Sequence, residues 1–368
     1  MNPALDHFQP AFRADPVGAF DVERTATGQG TRPFTLGGRT YAVYRNVNLS
    51  VYSGQRCNAH CAFCVEELRP AARGTSLSAQ KTVLADDAAY FAALERVLVE
   101  TAPLGPSLSI TGGEPSLDPR LPGILERVAA HGLRKRTLTT NGSGLLRPVP
   151  GGGDVLDAIV AAQVAHLNLS RAHPDLGINQ QVMRFDSPPG PVELGEIVRR
   201  ARAGGVRPRL SCVVLKGVVE TLDDCLAYLE WAVSLGVDNV VFRQLMGHDP
   251  ARHRPNAVTR YSDAARVELR PILDQLRRPD GERHPQFTFQ RHVLGYYYAV
   301  EVYRYAPTGD RPPVDVCLEW ADLATLETRT RREARDAGEN GPTTIHELVF
   351  HAGGELCSTW QPGDGRVL

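Results

Sequence analysis

Short apolar runs rich in β-branched residues alternate along the chain with longer stretches whose apolar positions recur at helical spacing. The runs predict six strands, at 47–51, 108–111, 136–140, 165–170, 209–215 and 239–244. The stretches predict helices at 86–101, 121–130, 155–163, 192–203 and 222–234, and a sixth at 262–276 that is interrupted by Pro271. Because parallel strands need crossover connections, this order predicts an α/β fold: a partial (β/α)6 TIM-like barrel.

The pattern changes after residue 280. Aromatic and β-branched residues dominate there, and a Gly-Gly turn separates two further apolar runs near residue 353. We therefore expect a mostly β C-terminal extension at 281–368, which packs on the barrel and acts as a substrate lid. The barrel core is expected at 46–280, and an N-terminal arm with one added strand at 1–45.

Composition excludes several classes of protein. The 368 residues carry a net charge of −1, with 42% hydrophobic and 23% charged residues, which is ordinary for a globular protein. Positive charge is not massed anywhere, so a nucleic-acid partner is not expected. No run of 18 apolar residues and no signal segment is seen, so we expect no membrane span and a cytoplasmic location.

Three of the seven cysteines lie within eight positions, on a loop after the first predicted strand. Cys57, Cys61 and Cys64 are spaced four and three residues apart, which suits metal binding better than disulfides. Three thiolates can hold a [4Fe-4S] cubane and leave one iron open to chelate a small molecule. A structural zinc site with His60 as fourth ligand, or three buried thiols without a metal, are the alternatives.

A second motif, Gly112-Gly113-Glu114-Pro115, follows the second predicted strand. The glycines expose backbone groups, and Glu114 can accept hydrogen bonds from an ammonium group. The alternative is a plain turn from strand to helix with Asp118 as the N-cap.

The two motifs, in this order after the first two strands, resemble those of the radical S-adenosylmethionine (SAM) superfamily. Thr139-Thr140-Asn141-Gly142 and Leu167-Asn168-Leu169-Ser170, at the ends of the third and fourth strands, resemble the branch of molybdenum-cofactor biosynthesis protein A and the SPASM/twitch proteins. The resemblance implies that Cys57, Cys61 and Cys64 hold a [4Fe-4S] cluster. It further implies SAM contacts from Phe63, Gly112, Gly113, Glu114, Thr140 or Thr139, Asn141 and Ser170, with Arg184 and Lys216 as weaker candidates.

The activity implied by the resemblance is reductive cleavage of SAM to a 5′-deoxyadenosyl radical, which abstracts hydrogen from a small biosynthetic metabolite: a sugar, nucleoside or amino acid derivative. Flavodoxin or ferredoxin is the implied reductant. Substrate contacts are expected from the extension at 281–368 and from the ends of the late strands. Candidates there are Arg243, Gln244, His248, Asp249, His253 and Arg254, for which a polar surface loop is the alternative.

Two other functions remain open at this stage. One is a SPASM/twitch-like peptide-modifying maturase with an auxiliary cluster at Cys317 and Cys357, joined by His346 or His351. The other is a non-enzymatic zinc- or nucleotide-binding α/β protein.

Overall fold

The computed structural model describes residues 30–54, 56–64, 86–246, 256–277, 284–294, 298–321, 335 and 343–368. Their strands form one sheet in the order β12-β11-β2-β3-β4-β5-β6-β7-β10-β9-β8, with β1 paired to β2. The strands are β1 Thr31–Leu36, β2 Arg39–Tyr52, β3 Ser107–Thr111, β4 Lys135–Thr140, β5 His166–Ser170, β6 Arg207–Val214, β7 Asn239–Gln244, β8 Phe287–Leu294, β9 Tyr298–Tyr305, β10 Val314–Ala321, β11 Thr344–Phe350 and β12 Leu356–Cys357.

Helices connect the central strands. They are α1 Asp87–Thr101, α2 Leu121–Ala130, α3 Val155–Ala161, α4 Leu176–Met183, α5 Pro191–Ala203, α6 Leu222–Ser234, α7 Ala257–Ala265 and α8 Arg270–Arg277. Strands β2 to β7 are parallel and adjacent in chain order. The predicted α/β fold with a parallel sheet is confirmed.

Side chains alternate between the two faces of each strand, and the faces differ in kind. On β6, Leu210 and Val214 are fully buried in the core that the helices cover, whereas Arg207 and Arg209 on the other face are half-buried. We call the face toward the helices the outer face and the opposite one the inner face. This alternation is what a strand with only one apolar side produces.

The sheet curves so that its inner face is concave. Lys135 on β4 lies close enough to Cys317 on β10 and Arg291 on β8 for their charges to affect its pKa. In the sheet order these strands lie four and six places from β4. A flat sheet would separate them by roughly 19 and 29 Å. The strands therefore wrap around a common interior, as in a partial barrel.

The region after residue 280 lengthens the sheet at both edges. Strand β10 pairs in parallel with β7 and is followed by β9 and β8, while β11 pairs in parallel with β2 and is followed by β12. The mostly β character of the extension is confirmed. The division at 45, 280 and 368 and the role as a lid stay predictions; β2 runs through residue 45, and residues 1–29 lie outside the described part.

Three local features differ from the sequence predictions. Helix α4 and strand β10 were not predicted. The single helix expected at 262–276 is two helices, because Arg266 is extended (φ −62°, ψ 130°) and pairs with Leu215. Pro271 then lies in the first turn of α8, where the missing N–H costs nothing. Within the described residues, no helix combines the length and apolarity needed to cross a membrane.

Candidate active site at the carboxyl edge of the sheet

The predicted motifs meet where strands β2, β3 and β4 end. The Gly113 N–H donates to the Gly54 carbonyl (2.9 Å), and the Glu114 N–H donates to the Arg56 carbonyl (2.6 Å). Gly112 has φ +151°, and a Cβ there would lie 2.9 Å from the Gly54 oxygen. Only glycine fits that close approach. The Gly-Gly-Glu turn is thereby fastened to the start of the cysteine loop.

The Glu114 carboxylate joins the ends of β3 and β4. It is 3% exposed and accepts hydrogen bonds from the Ser116 N–H (2.9 Å) and hydroxyl (2.6 Å), the Asn141 N–H (2.6 Å) and the Thr140 hydroxyl. Burial raises the pKa of Glu114 although these bonds oppose the rise. Three of the four bonds reach one oxygen, so the other keeps a lone pair for a further donor.

Asn58, which sequence reasoning missed, ties the cysteine loop to the end of β4. Its Oδ1 accepts from Asn141 Nδ2 (2.8 Å), and its Nδ2 donates to Ser143 Oγ (2.9 Å). Its carbonyl accepts from the Asp186 N–H (2.8 Å). The only sequence signal was its position next to Cys57.

The carboxyl end of α4 supports the cysteine loop from the other side. The His60 N–H donates to the Arg184 carbonyl (3.2 Å), and the Ala62 N–H donates to the Val182 carbonyl (2.9 Å). Arg184 ends α4 in the left-handed conformation, φ 52°. Its backbone therefore holds the loop, whereas the predicted contact of its side chain with SAM stays a prediction. The signal for α4 was Asp175, whose side chain caps the helix by accepting from Ile178 N.

The three thiols differ in exposure. Cys57 is exposed, whereas Cys61 and Cys64 are half-buried, and none of the three forms a disulfide. Burial raises the pKa of the Cys61 thiol, and the neighbouring thiols Cys64 and Cys57 raise it further. Thiolates so close together need a positively charged partner, which bound iron would provide.

A single-ion site finds no support in the described part of the chain, where no three His, Cys, Asp or Glu side chains are placed to bind one metal ion. A cubane needs no such convergence, because each thiolate binds a different iron. The donor set and its burial fit such a cluster.

A second apolar cluster, separate from the main core, lies beside the cysteine loop. It brings Phe63 together with residues that follow β5, β6 and β7. Its buried members are Ala172, Val182, Met183, Phe185, Leu215, Leu245 and Ala265, and Ala59, Cys61, Phe63, Val213, Val218 and Tyr261 pack against them.

The register settles which threonine at the end of β4 faces inward. Thr139 pairs with Asn168 and accepts a hydrogen bond from its Nδ2 (3.1 Å) on the inner face, whereas Thr140 faces Glu114. Ser170 is half-buried on the inner face, beside Ser211 of β6. The SAM contacts predicted for these side chains stay predictions.

The structure places the remaining predicted positions in different parts of the sheet, except for those outside the described residues. Cys317 on β10 and Cys357 on β12 are separated by seven strands in the sheet order. No side-chain contact with the site is described for Lys216. His248, Asp249, His253 and Arg254 lie outside the described residues, while Arg243 and Gln244 end β7.

Comparison with known proteins adds sequence similarity to this geometry. The GTP 3',8-cyclase of Streptomyces coelicolor is 31% identical over 191 residues, which are 50% of this chain and 49% of that protein. The GTP 3',8-cyclase of Pseudomonas fluorescens is 30% identical over 167 residues, 44% of this chain and 43% of that protein. The resemblance to the radical SAM superfamily is confirmed. This chain spans about half the length of the curated relatives it matches.

The other two comparisons add less. No family model matches the chain. The structure of Streptococcus suis SuiB bound to precursor peptide SuiA overlaps 85% of this chain and 59% of its own, with 14% identity and a TM-score of 0.47. That overlap supports no functional conclusion.

Proposed function

We propose that this protein is a radical SAM enzyme that binds a [4Fe-4S] cluster and SAM and acts on a small biosynthetic metabolite. The observation that carries the proposal is the junction of three loops at the carboxyl edge of the sheet. Asn58 and Glu114 hold the cysteine loop, the Gly-Gly-Glu turn and the end of β4 in one hydrogen-bonded unit. A metal-binding loop with no such partner would be equally compatible with a structural role.

The cluster would be held by Cys57, Cys61 and Cys64, with one thiolate on each of three irons. When bound, the cluster and SAM supply a 5′-deoxyadenosyl radical, which removes hydrogen from an unactivated C–H bond. Backbone bonds from His60 and Ala62 to the carboxyl end of α4 keep the loop in place before any metal binds. Such preorganisation lowers the cost of ordering the ligands.

The SAM molecule would lie between the Gly-Gly-Glu turn and the ends of β4 and β5. The free lone pair of Glu114 and the backbone of Gly112 and Gly113 would receive its ammonium group. Thr139 and Ser170 face the interior, where they would meet its ribose or carboxylate.

Water must be kept from a radical site, and the apolar cluster around Phe63 would serve this purpose. Phe185 after α4, Leu215 after β6 and Leu245 after β7 are each at most 5% exposed and belong to this cluster. Exclusion of water there protects reactive intermediates from side reactions.

A small metabolite is favoured over a peptide as the substrate. A SPASM/twitch-like maturase needs an auxiliary cluster, and the chain after residue 280 offers only Cys317 and Cys357 as thiol ligands. These two belong to strands that have seven other strands between them in the sheet order. Flavodoxin or ferredoxin is proposed as the reductant.

The proposal is tested by anaerobic purification and reconstitution with iron and sulfide. We expect about four irons and four sulfides per chain. On reduction with dithionite, added SAM should be cleaved to methionine and 5′-deoxyadenosine, and the electron paramagnetic resonance spectrum of the reduced protein should change when SAM is added. A colourless protein with one bound zinc would support the non-enzymatic alternative and reject the proposal.

A further inference from the structure

The inner face of the parallel sheet is polar over most of its depth. Inner positions identified by the register include Thr137 on β4, His166 and Asn168 on β5, Arg209 on β6 and Arg243 on β7. Barrels of parallel strands ordinarily fill this space with branched apolar side chains. The interior of this barrel is therefore built to hold something other than its own core.

The positive charge on this face exceeds the negative charge. Two of its carboxylates are already shared among arginines: Asp315 binds Arg207 (2.8 Å) and Arg304 (2.8 Å), and Asp238 binds Arg207 (2.9 Å). Glu319 lies 3.5 Å from Arg243.

Other cations on the same face lack a carboxylate. Within the described part of the chain, Lys135, Arg209 and Arg291 form no ion pair; Arg209 donates only to the side chain of Asn239. We call Lys135, His166, Arg209 and Arg291 the inner basic cluster.

The members of the cluster lie close enough to repel one another. Burial, together with the charges of Arg209, Lys135 and Arg207, lowers the pKa of His166 to about 3. Burial and repulsion from neighbouring arginines also lower the pKa values of Lys135 and Arg209. Mutual repulsion of this kind is relieved when an anion binds among the cations.

Hydrogen-bonding capacity on the inner face is also unused. Among the described residues, the shielded atoms Arg243 Nε, His166 Nδ1 and Asn168 Oδ1 have no hydrogen-bond partner. Buried polar atoms without partners are uncommon, because each costs free energy. Arg243 Nε offers a charged donor, His166 offers a polar contact within the cluster, and Asn168 Oδ1 offers an acceptor for the uncharged part of a ligand.

We propose that the inner basic cluster binds the anionic end of the substrate, a phosphate or a carboxylate group. The inference rests on the proposed function and names the substrate class of the same barrel. His166 and Ser170 are four residues apart on β5, so the cluster lies roughly 13 Å below the predicted SAM contacts. A metabolite of about that length, anchored by its anion, would present a C–H bond to the carboxyl edge.

The test measures binding of two probes, pyrophosphate and malonate, to the full-length protein by isothermal titration calorimetry at low salt. We expect at least one probe to bind with a dissociation constant in the micromolar to low millimolar range. Binding of pyrophosphate alone indicates a phosphorylated substrate, and binding of malonate alone indicates a carboxylate. Failure of both probes to bind would overturn the proposal.

Variants locate the site. Lys135→Met and Arg209→Gln should each weaken probe binding about tenfold or more, because each removes a charge-assisted contact. Lys135→Arg, which keeps the charge, should stay within about threefold of the parent protein. Arg199→Gln is the matched control, since Arg199 lies on the exposed side of α5 and pairs with Glu196. Equal affinity of Lys135→Met and Arg199→Gln would place the anion elsewhere and reject the proposal.

The binding of the probes can be measured independently of cluster formation and SAM cleavage. Probe binding is measured with and without reconstituted cluster, and circular dichroism establishes that each variant is folded. A protein that binds pyrophosphate but cleaves no SAM would contradict the proposed function alone. A protein that cleaves SAM but binds neither probe would contradict this inference alone.

Discussion

The two faces of the sheet are built from the same strands but from different kinds of side chain. Along β6 the outer positions Leu210, Cys212 and Val214 are fully buried, whereas the inner positions Arg209 and Ser211 remain partly accessible. Fully burying an aliphatic side chain contributes about 1.5–3 kcal/mol. The outer face therefore supplies the stability of the barrel, and the inner face forgoes such burial and keeps polar groups available for a ligand.

The largest effect is expected from a substitution in the cysteine loop, compared with a substitution in the outer core. Cys61→Ala should abolish iron retention and SAM cleavage while the thermal unfolding midpoint changes little, because a cluster ligand is lost but the outer face is untouched. Iron content and 5′-deoxyadenosine formation are the measurements. Cys225→Ala, in the buried side of α6, is the matched control and should keep the iron but lower stability. Unchanged SAM cleavage by the Cys61 variant would overturn the ligand assignment.

Substitutions at two adjacent residues of β4 compare how much each face of the sheet contributes to stability. Leu138→Ala should lower the free energy of unfolding by about 2–5 kcal/mol, since Leu138 is 0% exposed in the outer core. Thr137→Ala on the inner face loses only hydroxyl contacts with Leu108 O and Ser109, and should cost about 1 kcal/mol or less. Urea unfolding of both variants measures the difference. Equal losses would show that the inner face carries as much stability as the outer.

Glu114 is expected to contribute both to the stability of the fold and to SAM binding, because its carboxylate is buried and lies at the candidate site. Glu114→Gln replaces one acceptor by a donor that faces the Asn141 N–H or the Ser116 and Thr140 hydroxyls. We expect iron content to be kept, SAM binding to weaken about tenfold or more, and the free energy of unfolding to fall by about 1–3 kcal/mol. Equilibrium dialysis with SAM measures the affinity, with Glu196→Gln on exposed α5 as the control. Normal SAM affinity would show that the Gly-Gly-Glu turn has been misread.

The smallest effect is a dependence on pH that arises from the inner face. The pKa of His166 is about 3 in the folded protein, against an ordinary 6.5, so the unfolded chain binds the extra proton between these values. This residue therefore removes stability as pH falls below about 6.5. His166→Gln should lose less stability than the parent protein between pH 7 and pH 5 in urea unfolding. An identical loss in both would mean that His166 takes up its proton as freely in the fold as in the unfolded chain.

Sequence periodicity predicted five of the six parallel strands to within two residues, because their outer positions are mostly apolar, whereas β2 begins eight residues before its predicted start. It missed β10, where Asp315 and Glu319 interrupt the apolar run with inner-face charges. It also missed α4, whose glycine and glutamines give only a weak apolar stripe. Where polar residues serve the interior, the hydrophobic signal that identifies a strand is weakened.

The cysteine and Gly-Gly-Glu motifs were found from sequence because their chemistry needs particular residues at a fixed spacing. The residues that hold these two motifs in place were not found from sequence. The backbone carbonyls of Val182 and Arg184 can belong to any residue type, and Asn58 has no pattern around it. Likewise, the choice between Thr139 and Thr140 depended on strand register, which a single-strand pattern leaves uncertain by a residue or two.

The pairing of β11 with β2 has a consequence for the biogenesis of the barrel. Ile345 lies beside Val43, so this edge joins segments roughly 300 residues apart, among the most non-local contacts a chain of this size can make. During synthesis, β2 would expose this unpaired edge until the roughly 300 residues up to β11 have been translated. Newly made chains would then depend on rapid completion, or on a chaperone, to avoid joining their open edges to one another.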